Sequence, residues 1–85
     1  MVELVAFYET TWCSRCKRLK KFLEDLGITV NWIDIDKDKE ASRIVIELNN
    51  GKRKIPTLVF SDDTFLVNPD NNQILNKLGL SMYDM

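Results

Sequence analysis

Hydrophobic and polar positions change their period several times along this 85-residue chain. Residues 2–8, Val-Glu-Leu-Val-Ala-Phe-Tyr, form a nearly continuous apolar run. Its length and β-rich content predict a strand covered on both faces, as in parallel sheets. Residues 9–13, Glu-Thr-Thr-Trp-Cys, read as a loop. From Ser14 the period lengthens. Cys16, Leu19, Phe22, Leu23 and Leu26 share one helical face, and Arg15, Lys17, Arg18, Lys20 and Lys21 fill the rest of the turn. Gly27 is placed to stop that helix as the first residue beyond it.

Residues 28–35, Ile-Thr-Val-Asn-Trp-Ile-Asp-Ile, predict a second strand. Asp36 or Asp38 can cap a second helix, in which Ala41, Ile44, Val45 and Leu48 repeat at i, i+3, i+4 and i+7. Asn49-Asn50-Gly51 ends it, and Lys52-Arg53-Lys54 is a basic loop. Ile55-Pro56 leads into a third strand over 57–60, Ser61-Asp62-Asp63 turns the chain, and 64–67 is a fourth strand. Asn68 can cap a last helix with Pro69 in its first turn; Ile74, Leu75 and Leu78 face the core, and Gly79 ends it.

The order β-α-β-α-β-β-α requires a right-handed parallel crossover in its first half and an antiparallel hairpin in its second. An α/β domain spanning residues 1–85, with a four-stranded mixed sheet and three flanking helices, meets both demands. Phe7, Phe22, Trp32 and Phe60 are its expected aromatic core.

Composition narrows the function classes. Apolar residues at 45% and charged residues at 29% are globular values, far from disordered or membrane composition. A net charge of −1 gives no bulk attraction to nucleic acid or to a membrane surface, so neither is an expected partner. No window reaches the roughly 18 apolar residues of a spanning helix. Met1-Val2-Glu3-Leu4 carries an acidic residue where a secretory leader would be basic, and the expected location is the cytoplasm. The absence of histidine rules out a Cys-His dyad, a Ser-His-Asp triad and histidine metal ligands within the chain.

The two cysteines stand as Cys13-Ser14-Arg15-Cys16, just after a predicted strand and at the opening of a helix. Backbone N–H groups and the positive dipole end gather there and favour an anion, such as a thiolate on Cys13. Arg15 and Lys17 add positive charge. Cys16, one turn on and on the apolar face, is the more buried thiol and stays within reach of a disulfide. The expected chemistry is attack by Cys13 on a disulfide, then release of the reduced product by Cys16. Two other readings of the pair stay open: inert core cysteines, or half of a zinc site completed across a dimer, since this chain has no further Cys or His.

Several neighbours are candidate substrate contacts. Pro56 cannot donate to a ladder and restricts Ile55. As a cis peptide it would lie against the disulfide and leave the Ile55 backbone free to pair with a bound thiol's peptide groups. Otherwise it is a strand-start proline. Trp12, beside Cys13, can shield the thiolate and stack on substrate, or simply pack. Arg53 and Lys54 can hold a substrate carboxylate, or form a solvated loop. Asn68, Asp70 and Asn71 can bind the amino and carboxylate groups of a thiol ligand, or act as plain caps.

The chain resembles the glutaredoxins, and among them the mycoredoxin-type bacterial proteins. The residues carrying this are Tyr8 through Cys16, Arg18-Leu19-Lys20, Asn49-Asn50-Gly51, Ile55 through Phe60 and Leu66-Val67-Asn68-Pro69, so the likeness runs nearly end to end. It implies the thioredoxin fold, a cis Pro56, Cys13 as nucleophile and Cys16 as resolving partner. It also implies glutathione or another low-molecular-weight thiol as co-substrate, with no tightly bound cofactor. Ser14-Arg15 stands where glutaredoxins usually carry Pro-Tyr or Gly-Tyr, and Asn68-Pro69 replaces a glycine pair found in many of them.

Three functions compete on this basis. One is a monomeric enzyme reducing mixed disulfides between client proteins and a small thiol. Another is a dithiol protein-disulfide reductase recharged by a thioredoxin reductase and serving, for example, ribonucleotide reductase. The last is a metal or iron–sulfur carrier using Cys13 across a dimer.

Overall fold

The computed structural model describes residues 2–80, so Met1 and the last five residues of the expected 1–85 domain lie outside the described residues. The elements are β1 (Leu4–Glu9), α1 (Ser14–Asp25), β2 (Trp32–Asp34), α2 (Lys39–Leu48), β3 (Thr57–Phe60), β4 (Phe65–Val67) and α3 (Asn71–Lys77). The four strands form one mixed sheet in the order β2-β1-β3-β4. β1 pairs parallel with β2, matching Phe7 to Trp32. It pairs antiparallel with β3, and β3 pairs antiparallel with β4.

The central position of β1 explains its apolar run. Leu4 and Phe7 join Leu58, Phe60 and the α1 residues Cys16, Leu19 and Leu23, together with Ile74 of α3. Ala6 and Tyr8 face the other side, against Ile35 and the α2 residues Ala41 and Val45. Helices α1 and α3 therefore cover one face and α2 the other. Alternation alone would put Leu4 and Ala6 on one face. The pairing shifts between these two residues, opposite Phe60 and Val59, so Val5 is the extra residue of a bulge and is exposed.

Differences from the sequence expectations have local causes. The second strand is confined to Trp32–Asp34 rather than 28–35. Gly27, at φ +76°, lets the Ile28 N–H bond the Leu23 carbonyl at 3.0 Å, which closes α1 and keeps Ile28 out of the sheet. Val30 is buried without pairing. The cap of α2 is Asp38, whose Oδ1 accepts the Ala41 N–H at 3.0 Å; Asp36 is engaged elsewhere. The last helix is capped by Asp70, not Asn68. Asp70 Oδ1 accepts the Gln73 N–H at 2.8 Å while Gln73 Oε1 accepts the Asp70 N–H at 2.9 Å, a reciprocal capping box. Asn68 instead turns the chain at φ +47°, and Pro69 lies buried ahead of the helix. Phe7 and Phe60 are fully buried, whereas Phe22 and Trp32 are half-buried at the margin of the core.

Candidate active site

Four connections meet at the end of the sheet where β1 stops and β3 begins, the last of them the turn after β4 that carries Asn68 and Asp70. The first is the β1–α1 loop, whose last residue, Cys13, is the cap of α1. Its Sγ accepts the Cys16 N–H at 3.2 Å, the role an oxygen side chain usually fills at a helix start. Only 8% of Cys13 is exposed, and Cys16 is completely buried. Both are free thiols. Burial, reinforced by the hydrogen bond with Cys13, pushes the Cys16 thiol up to about 12; a backbone hydrogen bond from Thr10 opposes this in part. The pair is thus an outer sulfur facing the helix end and an inner sulfur that holds its proton tightly.

Beside Cys16, Lys20 donates to Glu9 Oε2 at 3.0 Å, and its ammonium lies 4.9 Å from the Trp32 ring centroid. The Thr10 side chain is fully buried, and its hydroxyl has no hydrogen-bond partner among the described residues.

The second connection is the β2–α2 loop. Asp36 Oδ2 accepts the Trp12 Nε1–H at 2.9 Å, and Asp36 Oδ1 takes the Arg53 guanidinium. Arg53 first and Trp12 second hold the Asp36 carboxyl below the usual carboxylate range. Arg53 also donates to Ser42 Oγ at 3.4 Å. Trp12 remains 67% exposed, so its indole is tethered at the edge and open on its face.

The third connection precedes β3. The Ile55–Pro56 peptide is cis. Its loop is pinned from two sides. Thr57 Oγ1 donates to the Lys54 carbonyl at 2.7 Å, and the buried Asn49 amide bonds the Val45 carbonyl at 2.8 Å and Thr57 Oγ1 at 3.4 Å. The Pro56 carbonyl accepts the Asn68 N–H at 2.8 Å, which ties β4 to the same corner. Ile55 is half-buried between both core clusters, Pro56 is buried, and the Lys54 side chain is exposed.

The residues singled out in the sequence fall into two groups around the cysteines. Trp12 and Arg53 are joined through Asp36. Arg15, Asn68 and Asp70 line a groove of about 970 Å³, along with Arg18, Leu19 and Phe22. Asp36, Glu9 and Lys20 were not among the candidates. Asp36 carried a capping signal shared with Asp38, and nothing local to it indicates Trp12 or Arg53. The opposite charges of Glu9 and Lys20 are adjacent only once α1 packs on the sheet. Among the described residues, no three of the His, Cys, Asp and Glu side chains come together as a metal site.

A family model described as glutaredoxin matches residues 5–66. This chain belongs to the glutaredoxin family. It is 38% identical over 74 residues to mycoredoxin 1 of Corynebacterium glutamicum, a match covering 87% of this chain and 91% of the relative. It is 35% identical over 74 residues to a protein of Mycobacterium tuberculosis named as a glutaredoxin, covering 87% of this chain and 88% of the relative. The glutaredoxin crystal structure from Archaeoglobus fulgidus superposes with a TM-score of 0.70 at 23% identity, covering 92% of this chain and 87% of that one, which supports the fold. As a glutaredoxin, the chain is a thiol–disulfide oxidoreductase with a thiol co-substrate and disulfide clients.

Proposed function

We propose that Cys13 attacks the disulfide of a client protein or a mixed disulfide and that Cys16 resolves the product, with a low-molecular-weight thiol restoring both. The reading rests on one observation: Cys13 Sγ, at the head of α1, accepts the N–H of Cys16, whose own thiol is wholly buried behind it. In the first step the Cys13 thiolate bonds one substrate sulfur, the substrate S–S bond breaks, and the departing thiolate takes a proton from water. In the second step Cys16 gives up its proton and attacks Cys13 Sγ. The mixed disulfide breaks, the second substrate thiolate leaves, and a Cys13–Cys16 disulfide forms. The substrate gains two electrons and the chain loses two. Two equivalents of the small thiol then reduce the chain and leave as their own disulfide.

In this reading Arg53, Lys54 and the Ile55 backbone meet the co-substrate on one flank, with Trp12 above it. Arg15, Asn68 and Asp70 meet it on the other. The enzyme works as a monomer in the cytoplasm. The test follows NADPH consumption with the oxidised protein and two recharging systems, glutathione with its reductase and thioredoxin reductase alone. Turnover with glutathione supports the small-thiol reading. Turnover with thioredoxin reductase alone replaces it with a dithiol protein-disulfide reductase. Failure in both removes glutathione as the co-substrate.

A further inference from the structure

Arg53 was expected to offer its guanidinium to a substrate carboxylate, yet that guanidinium is already engaged. Asp36 Oδ1 occupies it, while Asp36 Oδ2 takes the indole N–H of Trp12, the residue next to Cys13. Asp36 comes from a connection that contributes no sulfur and no substrate contact of its own in the reaction above. Its helix-capping role is filled by Asp38. One carboxylate thus spans the two flanking residues of the site from outside it. Both partners of the ion pair are only partly exposed, at 37% and 40% for their side chains.

The geometry points to Asp36 as a specificity-determining residue: an internal carboxylate that withholds Arg53 from carboxylate-bearing thiols and tethers Trp12 in the same act. The inference rests on Cys13 being the attacking sulfur and on Arg53 bordering its substrate. A small thiol with a free carboxylate must displace Asp36 Oδ1 to reach Arg53. A neutral thiol, or a protein disulfide that presents no carboxylate there, meets no such competitor. Asp36 therefore discriminates among disulfides by the charge of the group attached to sulfur, without touching the reacting atoms. Because a partly exposed ion pair is a modest and salt-screened interaction, the discrimination is about two- to five-fold and shrinks in high salt.

The test traps the first chemical step. In a Cys16→Ser background the Cys13 adduct accumulates and is counted by intact-mass spectrometry. Rates of adduct formation are compared for glutathione disulfide, which carries carboxylates, and hydroxyethyl disulfide, which is neutral. Asp36→Asn is expected to raise the glutathione-to-hydroxyethyl rate ratio about two- to five-fold, and Asp36→Glu to return it to the parental value. Arg53→Gln lowers the ratio, and adding Asp36→Asn to Arg53→Gln gives no further gain. That last arm separates competition for Arg53 from simple removal of a negative charge near an anionic substrate. An unchanged ratio in Asp36→Asn, or an equal rise with and without Arg53, overturns the inference. If neither disulfide forms an adduct in the parent protein, the attacking role of Cys13 itself falls, and the inference with it.

Discussion

Thr10→Val is predicted to make the reduced protein more stable. The Thr10 side chain is fully buried at the end of β1, and its hydroxyl has no partner among the described residues. A buried hydroxyl left unpaired forfeits its hydration, which costs about 1–3 kcal/mol. Valine keeps the branching at Cβ, so it can take up the same site in place of threonine. The backbone contacts of Thr10, with its carbonyl accepting the Cys13 N–H at 3.4 Å, do not depend on the side chain. The lower end of the range is the right expectation, because the extra methyl must fit a packed site. The variant should gain about 1 kcal/mol, which for a domain of this size raises Tm by roughly 4–8 °C. Urea unfolding under reducing conditions measures it directly. The midpoint should rise with the m-value unchanged, since the surface exposed on unfolding is the same. A loss of stability by a similar amount refutes the reasoning, because it means that the hydroxyl makes a bond in solution that valine cannot replace.

Cys16→Ser should still form an adduct with a small disulfide but lose dithiol reduction of protein disulfides, read as a trapped mixed disulfide by mass spectrometry and as lost turnover. Stability of the reduced protein should fall at alkaline pH: below about pH 8.5 both folded and unfolded Cys16 hold the proton, whereas above it only the unfolded thiol ionises. The slope reaches about 1.4 kcal/mol per pH unit for one proton and persists toward the native value of about 12; Tyr8, raised by burial and the Asp38 carboxylate, adds the same sense above about pH 10. Cys16→Ala should remove the part of this slope between 8.5 and 10, as measured by denaturant melts across pH. Leu23→Ala, at a fully buried position facing the sheet, should cost about 2–5 kcal/mol in urea unfolding. Asp70→Ala breaks the capping box of α3 and should cost about 0.5–2 kcal/mol in the same assay.

What could be read from the sequence is what depends on short range. The period of Cys16, Leu19 and Leu23 reports one helical face because those residues meet one core, and they do. The apolar run of β1 reports a strand covered twice, and α1 and α2 cover it. The end of α1 is legible in Gly27 because the left-handed turn is a local event. The extent of β2 was not legible. Ile28 and Val30 look like strand residues by composition, yet the carbonyl of Leu23 takes the Ile28 N–H and Val30 enters the core unpaired. Capping was half legible: Asn68 and Asp70 are both good caps by type. Choosing between them needed the corner in which the Asn68 N–H is spent on the Pro56 carbonyl.

The same division runs through the site. Cys13 and Cys16 are visible in sequence because the head of a helix and its first turn bring both sulfurs together without help from elsewhere. Trp12 and Arg53 are separated from Asp36 by 24 and 17 positions along the chain, and it takes the β1-α1-β2 crossover on one side and α2 on the other to bring both to one carboxylate. The proposed sulfur chemistry therefore needs little more than β1 and α1, whereas the proposed substrate contacts are drawn from separate connections held at one end of the sheet. That separation makes a physical demand on the two sets of substitutions. Changes at Asp36, Arg53 and Trp12 should alter which disulfides are chosen, since their contacts are exposed and lie outside the core. Changes at Thr10 and Cys16 act instead on stability, and at Cys16 on its pH dependence as well, because both side chains are wholly buried where the sheet meets α1.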